Sequence, residues 1–315
     1  MTPTLFIIVP CYNEQEALPI TASRLAALTD DMLAKGLIAP ASRILLVDDG
    51  SRDDTWRVIS ALHDQDRRFE GVKLAHNAGH MNALWAGMTL AAERCDCAVT
   101  IDADLQDDVN AMYGFLEEYA KGADVVFGVR SSRRTDTLFK RATAQGFYKL
   151  MARMGVELVY NHGDYRLLSR RALQALLSFG EVNMFLRGMV PLLGFKTATV
   201  YFERGERVAG KSKYPLKKMI AFAMEGVTSF SIKPMRLVFY LGLLCALLGV
   251  VMAVYVIASL FGGHSVKGWA STIMSIWLLG GMNLIALGVV GEYIGKIYME
   301  TKRRPKFILE AHLKD

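Results

Sequence analysis

Apolar residues along this chain fall into two regimes: up to about residue 200 they come in short runs broken by polar stretches, and after Pro234 they merge into two long blocks. Leu5 to Val9 is a β-branched run stopped by Pro10 and reads as a buried strand. Glu14 to Leu28 then shows apolar positions at helical spacing. Ile44 to Val47 is a second run, closed by Asp48-Asp49-Gly50-Ser51, and Asp53 to His63 is again helical in spacing, with polar capping residues at its start. Val72 to Ala75 leads through Asn77-Ala78-Gly79-His80 into a helix from Met81. Ala98 to Ile101 leads into Asp102-Ala103-Asp104, and Val125 to Val129 supplies a further strand. Strand, polar turn and helix in alternation imply parallel βαβ units and an α/β fold, whose ligands sit beyond the carboxyl ends of the strands. Every polar motif named above lies at such an end.

The two long blocks are different in kind. Leu237 to Phe261 is about 25 residues without a charge and Trp269 to Gly291 about 23 more. At ~1.5 Å per residue each spans ~35 Å, enough to cross a hydrocarbon layer of ~30 Å. Two membrane spans are therefore expected. The loop between them, Gly262 to Gly268, carries only Lys267. Lys217, Lys218, Lys233 and Arg236 precede the first span, and Lys296, Lys302, Arg303, Arg304 and Lys306 follow the second. The positive-inside rule puts both ends, and the domain before them, on the cytoplasmic side. From Tyr214 to Ile232, Lys217 and Lys218 alternate with Ile220, Phe222, Met224 and Val227, the pattern of a helix lying in the interface. The expected organisation is a catalytic domain over 1–210, a juxtamembrane amphipathic segment over 211–233, a transmembrane hairpin over 234–298 and a cytosolic tail over 299–315.

Composition agrees: 52% of residues are apolar, high for a water-soluble enzyme, and the excess lies after Pro234. The net charge of +6 suits nucleic acid, anionic lipid or a phosphorylated substrate equally and decides nothing alone. Cys11, Cys95, Cys97 and Cys245 show no CxxC spacing and read as reduced thiols. The apolar run at the N-terminus lacks the basic flank and cleavage site of a secretory signal.

Asp102-Ala103-Asp104-Leu105-Gln106-Asp107 carries the strongest chemical signal. A departing diphosphate gains negative charge, and a divalent ion held by hard oxygen ligands offsets it. Two carboxylates one residue apart at a strand end suit that task. Together with Val9-Pro10-Cys11-Tyr12-Asn13-Glu14 and with Val47-Asp48-Asp49-Gly50-Ser51 followed by Asp53-Asp54-Thr55, in this order and at these separations, the segment resembles family 2 glycosyltransferases of the GT-A fold. The resemblance implies a mixed, mostly parallel sheet with helices on both faces. It implies nucleotide contacts by Pro10, Tyr12, Glu14, Asp48 and Asp49, and metal and diphosphate contacts by Asp102, Asp104 and Gln106, with Mg²⁺ or Mn²⁺ as cofactor. Ala103 falls within the same nucleotide-binding stretch.

Further segments narrow the likeness. Asn77-Ala78-Gly79-His80, Gly128 to Arg133, Gly163-Asp164-Tyr165-Arg166-Leu167-Leu168 and Arg207 to Tyr214 look like parts of the polyprenyl-phosphate branch, which includes dolichyl-phosphate mannose synthases and bacterial undecaprenyl-phosphate glycosyltransferases. That branch often reads Arg-Asn-Phe-Gly-His-Gln where this chain has Ala75 to Met81, which bears on the base and sugar contacts expected of Asn77, Gly79 and His80. The branch implies a sugar nucleotide donor, with UDP-glucose favoured, a polyprenyl phosphate acceptor, inversion at the anomeric carbon and residence in the inner (plasma) membrane. It also implies a downstream flippase or transferase that consumes the product, and no nucleic-acid partner.

Cations should then meet the acceptor head between cleft and membrane. Arg130 and Arg133 follow a strand end, and Arg207, Lys211, Ser212 and Lys213 precede the interfacial segment, where an anionic head would arrive. Asp164 is open to two readings, a base or an orienting group for Arg166 and the acceptor loop, since a phosphate acceptor is already ionised. Gly280-Gly281, Gly288 and Gly291 would let the hairpin pack against copies of itself as a homo-oligomer. Two rival readings each have a sequence feature against them. A processive polysaccharide synthase would carry a Gln-x-x-Arg-Trp motif, and none of Trp56, Trp85, Trp269 and Trp277 follows an arginine. A non-catalytic scaffold would have no reason to retain Asp102, Asp104 and Gln106.

Overall fold

The computed structural model describes residues 2–131, 162–182, 184–203, 233–261 and 268–314. The expected acceptor residues Arg133, Arg207, Lys211, Ser212 and Lys213, nearly all of the 211–233 segment and most of the loop between the apolar helices lie outside these.

Among the described residues eight strands form one sheet in the order β7-β5-β6-β4-β1-β2-β3-β8. They are β1 (Leu5–Cys11), β2 (Arg43–Asp48), β3 (Phe69–Leu74), β4 (Cys97–Thr100), β5 (Val125–Arg130), β6 (His162–Ser169), β7 (Thr197–Phe202) and β8 (Leu309–Leu313). β1 pairs in parallel with β2 and β4, β2 with β3, and β5 with β7. β6 and β8 run against their neighbours. The first strands are continuous apolar runs because both faces are covered. Leu5, Ile7 and Val9 of β1 join one core cluster with Leu18, Leu25, Met32, Ile59 and Phe115. Phe6 and Ile8, pointing the other way, join a second cluster with Leu84, Met88, Leu173 and Leu176. The first cluster thus packs on α1 (Leu18–Ala34), α2 (Thr55–Gln65) and α4 (Ala111–Ala120). The second packs on α3 (His80–Ala91), α5 (Arg170–Leu177) and the one-turn α6 (Leu186–Met189).

α1 begins four residues later than the spacing suggests. Glu14 and Gln15 use their backbone N–H groups on the Thr55 hydroxyl and the Asp53 carboxylate, so the helix starts only at Leu18, with proline in its first turn.

Two long helices close the chain, α7 (Lys233–Phe261) and α8 (Trp269–Lys302). Within them Lys233–Val251 and Leu278–Lys302 are long and apolar enough to cross a membrane, and neither stretch is buried in the protein. Leu237, Phe239, Leu284 and Leu287 are all at least 60% exposed. Soluble surfaces do not tolerate apolar patches of that extent, so lipid is the fitting surround.

The tail has structure of its own. The 299–315 segment is not a separate appendage: α8 continues to Lys302, Arg303 ends it in the left-handed conformation, and β8 adds antiparallel to β3. β3 would otherwise be an open sheet edge, and Leu309-x-Ala311-x-Leu313 is a short alternating strand that closes it.

Candidate active site

Four strand ends and the start of β6 meet at one edge of the sheet. Because β6 runs antiparallel, with Arg166 opposite Thr100 and His162 opposite Val129, its first residues lie beside the carboxyl ends of β4 and β5. Asp164 is thereby brought to Asp102, although 62 positions separate them in sequence.

Beyond β1 and β2 the loops are laced together. Asn13, in the left-handed conformation, donates its N–H to Ser51 Oγ at 2.9 Å and accepts the Arg52 N–H on Oδ1 at 2.9 Å. Asp48 accepts the Ser51 N–H at 2.9 Å on Oδ1, while its buried Oδ2 has no partner among the described residues. Burial raises the Asp48 carboxyl above its ordinary value. Asp49 uses both oxygens on the backbone, accepting from Ala78 at 2.7 Å and Gly79 at 3.0 Å. It therefore fixes the turn that starts α3 and delivers His80. Gly50 sits at φ +63°, and a Cβ there would stand 2.5 Å from the His76 carbonyl carbon. Pro10 is buried in β1, whereas Tyr12 is 42% exposed at the loop's mouth.

The Asp102–Asp107 loop is held from behind: Thr21 Oγ1 donates to the Ala103 carbonyl at 2.6 Å, and Leu105 adopts a left-handed φ of 53°. Asp104 accepts the Gln106 N–H at 3.2 Å. Gln106 borders a cavity of about 680 Å³ shared with Arg24, Asp31 and Tyr113, to which neither Asp102 nor Asp104 contributes. Asp107 is buried and takes Arg130 Nη2 at 3.2 Å and Nε at 3.3 Å, so part of the Arg130 fork faces a carboxylate.

Asp164 is the hub. Its Oδ1 accepts from Arg166 Nη2 at 2.6 Å and its Oδ2 from Arg187 Nη2 at 2.9 Å, while His80 Nε2 lies 3.6 Å from Oδ2 and 3.7 Å from Asp102 Oδ1. Burial alone would raise the Asp164 carboxyl, but Arg187, His80 and Arg166 outweigh it and hold it well below the usual range. Asp102 goes the other way. Burial, opposed by His80 and reinforced by Asp164, Asp107 and Asp104, pushes it up to about 6. For His80, burial disfavours the imidazolium, and the attraction of Asp164 and Asp102 more than offsets this.

Arg166 and Arg187 offset the charge of Asp164 and Arg130 that of Asp107, while Asp102 is raised by burial and by its acidic neighbours, a repulsion that a cation would relieve. Among the described residues no three of His, Cys, Asp and Glu converge as a ready ligand set. An ion such as Mg²⁺ or Mn²⁺ needs only one or two carboxylates from a protein and completes its shell with phosphate oxygens and water. Asp102 and Asp104 are the pair available for it.

A family model for glycosyl transferase family 2 matches residues 6–177, more than half of the chain and all the acidic motifs, and a model described as the GtrB C-terminal hairpin matches 233–297. The chain belongs to glycosyl transferase family 2. It is 49% identical to the uncharacterized glycosyltransferase YkoT of Bacillus subtilis (strain 168), over 99% of this chain and 92% of that one. It is 37% identical to a prophage bactoprenol glucosyl transferase homolog of Escherichia coli (strain K12), over 96% and 97%. Mannosyl-3-phosphoglycerate synthase from Rubrobacter xylanophilus superposes with a TM-score of 0.50 at 17% identity, over 71% of this chain and 72% of that one, which shows a shared GT-A fold. As a family 2 member the chain is a glycosyltransferase.

Sequence reasoning missed Arg187. It stands in the otherwise apolar run Phe185 to Val190, whose other residues are all buried. An arginine in such a run needs a buried partner, and that was the available signal; the partner's identity was not.

Proposed function

We propose that this family 2 glycosyltransferase transfers a sugar from a nucleotide donor to a polyprenyl phosphate at the cytoplasmic face of the plasma membrane, with UDP-glucose as the favoured donor. The observation that carries the reading is the joining of a GT-A acidic site to two lipid-facing helices in one chain, with relatives of nearly equal length named as bactoprenol glucosyl transferases.

Asp48 supports a uracil base. With Oδ1 engaged by Ser51, the buried Oδ2 is one acceptor for one imino N–H. A guanine edge would offer an N–H and an amino group together. Tyr12, exposed at the mouth, is available to cover the ring, with Pro10, Glu14, Asn77, Gly79 and Ala103 forming the rest of the nucleotide's surround. Asp102 and Asp104 would hold Mg²⁺ or Mn²⁺, which would offset the charge developing on the departing diphosphate.

The acceptor phosphate oxygen attacks the anomeric carbon as the bond to the diphosphate breaks on the opposite side, with inversion. No proton has to be removed from an ionised phosphate. Asp164 accordingly acts as an orienting charge and not as a base: a carboxylate gripped by two arginines and held well below its ordinary pKa is a weak proton acceptor. Arg130, with Arg133, Arg207, Lys211, Ser212 and Lys213 on sequence grounds, receives the acceptor head.

The test is transfer from a panel of radiolabelled sugar nucleotides to undecaprenyl phosphate by the full chain in lipid nanodiscs. A lipid-linked monosaccharide that disappears on chelation is expected. Asp104→Asn should lower its formation by about 100-fold or more with thermal unfolding unchanged. A polymeric product, or full activity after chelation, would defeat the proposal.

A further inference from the structure

From the last turn of the second apolar helix onward the chain touches the catalytic domain again, at α3 and at the segment that leads to α6. Glu300, in the last turn of α8, accepts the Val182 N–H on Oε2 at 2.8 Å. After the left-handed turn at Arg303, Lys306 Nζ donates to the Phe179 carbonyl at 3.2 Å and lies 3.5 Å from the centroid of the Trp85 ring. Phe307 packs against the second core cluster, Ile308 accepts the Ala75 N–H at 2.9 Å, and β8 then pairs with β3.

The residues gripped this way lead straight to the site. The 179–182 segment runs towards α6, which is seated by buried Phe185 and Leu186 and by Arg166 Nη1 donating to the Leu186 carbonyl at 3.2 Å. α6 carries Arg187. Trp85 belongs to α3, whose first residue is His80. Arg187 Nη2 at 2.9 Å and His80 Nε2 at 3.6 Å meet the same atom, Asp164 Oδ2. A tail serving only as a tether would keep its charges in water. Here burial raises the Glu181 carboxyl, with Glu300 adding to the effect, and burial lowers the Lys306 ammonium, so these charges sit in a partly desolvated joint.

We propose that Glu300 and Lys306 are positioning residues of the transferase site: through the 179–182 segment and Trp85 they set α6 and α3, and so the Arg187 and His80 side chains that hold Asp164. The proposal rests on the reading of the Asp164 surroundings as part of the transferase site. Its consequence is that the helix fixing the chain's depth in the bilayer also fixes the carboxylate, so that site and membrane surface are in register.

The experiment compares Glu300→Ala, Glu300→Gln and Lys306→Met with the parent, as full chains in nanodiscs. Three readings are taken: amide hydrogen exchange, UDP-glucose binding by calorimetry, and transfer to undecaprenyl phosphate. E300A and K306M should speed exchange across 179–189 and leave β1 and β2 unchanged. UDP-glucose affinity and donor KM should stay within about 2-fold, while kcat falls on the order of 10-fold, as a displaced catalytic group would cause. E300Q keeps an oxygen for the Val182 N–H and should recover most of the lost kcat. If E300A does not fold, K306M carries the comparison. Unchanged exchange at 179–189, or faster exchange with the parent's kcat, overturns the inference. A parent chain that forms no lipid-linked product with any donor overturns the functional reading alone, because the exchange measurement still decides the mechanical link.

Discussion

At the scale of single residues, the site is built by carboxylates with different duties assigned by their surroundings. Asp49 is saturated by backbone N–H groups and builds a turn; Asp48 keeps one buried oxygen open; Asp164 is an ion-paired hub; Asp102 and Asp104 remain at the opening. Gly50 is the point on which this division turns, because its positive φ and its approach to His76 let the Asp49 carboxylate reach Ala78 and Gly79. Gly50→Ala should add about 2 kcal/mol of backbone strain and steric displacement. The 76–79 turn would move and take His80 from Asp164. Thermal unfolding with and without UDP-glucose measures the outcome: the nucleotide's stabilising shift should shrink by more than the unliganded chain loses. The placement of Asp102 and Asp104 just beyond β4 was legible in sequence, because an apolar run stopped by an acidic turn marks a strand end. Arg187 was not, since its 23-residue separation from Asp164 closes only through the path of the chain past α5 to α6.

At the scale of elements, legibility followed the reach of the pattern. β1 to β5 and α1 to α3 were readable because each pairs a continuous apolar run with a polar stop. β6 was read only as a motif, β7 has an exposed and alternating pattern as an edge strand, and β8 looked like a polar tail. Such strands take their state from the neighbour they pair with, which local spacing does not encode. The junction at Asp124 shows how late elements are tied in. Its carboxylate, at the start of β5, takes a two-pronged contact from Arg171 of α5 and the Ser169 hydroxyl at 2.9 Å, while its backbone N–H donates to Lys196 ahead of β7 at 2.8 Å. Arg171 holds the Asp124 carboxyl below its ordinary 3.8. The stabilisation is therefore present above that pH and fades as pH falls through the lower folded value. Arg171→Leu should lower Tm at pH 7, lower it less as the medium approaches about pH 3, and leave it unchanged once both forms are protonated. A Tm difference independent of pH would mean that Arg171 acts through its packing on Phe195 and not through its charge.

At the scale of the whole molecule, the return of β8 to the sheet constrains topology. Two helices long enough to cross a bilayer stand between the catalytic strands and β8, and a chain that crosses twice comes back to the side it left. The start of α7 and the end of α8 must then share a side with the active site, whatever the orientation of the protein. The proposed cytoplasmic orientation rests on charge: Lys233, Arg236, Lys302, Arg303, Arg304 and Lys306 flank the two helices on one side in sequence, against Lys267 alone between them. The arrangement can be read with single cysteines in intact cells. Cys11, Cys95 and Cys97 are buried and Cys245 lies within α7, so the background for a water-soluble maleimide is low. His264→Cys, between the helices, should be labelled from outside by a reagent that does not cross membranes, and Glu310→Cys in β8 only after the cells are opened. Labelling of both positions from outside would break the hairpin. Labelling of Glu310→Cys alone would keep the hairpin and reverse it, placing the acidic site away from the cytoplasmic pool of sugar nucleotides, where a transferase of this kind would have no donor.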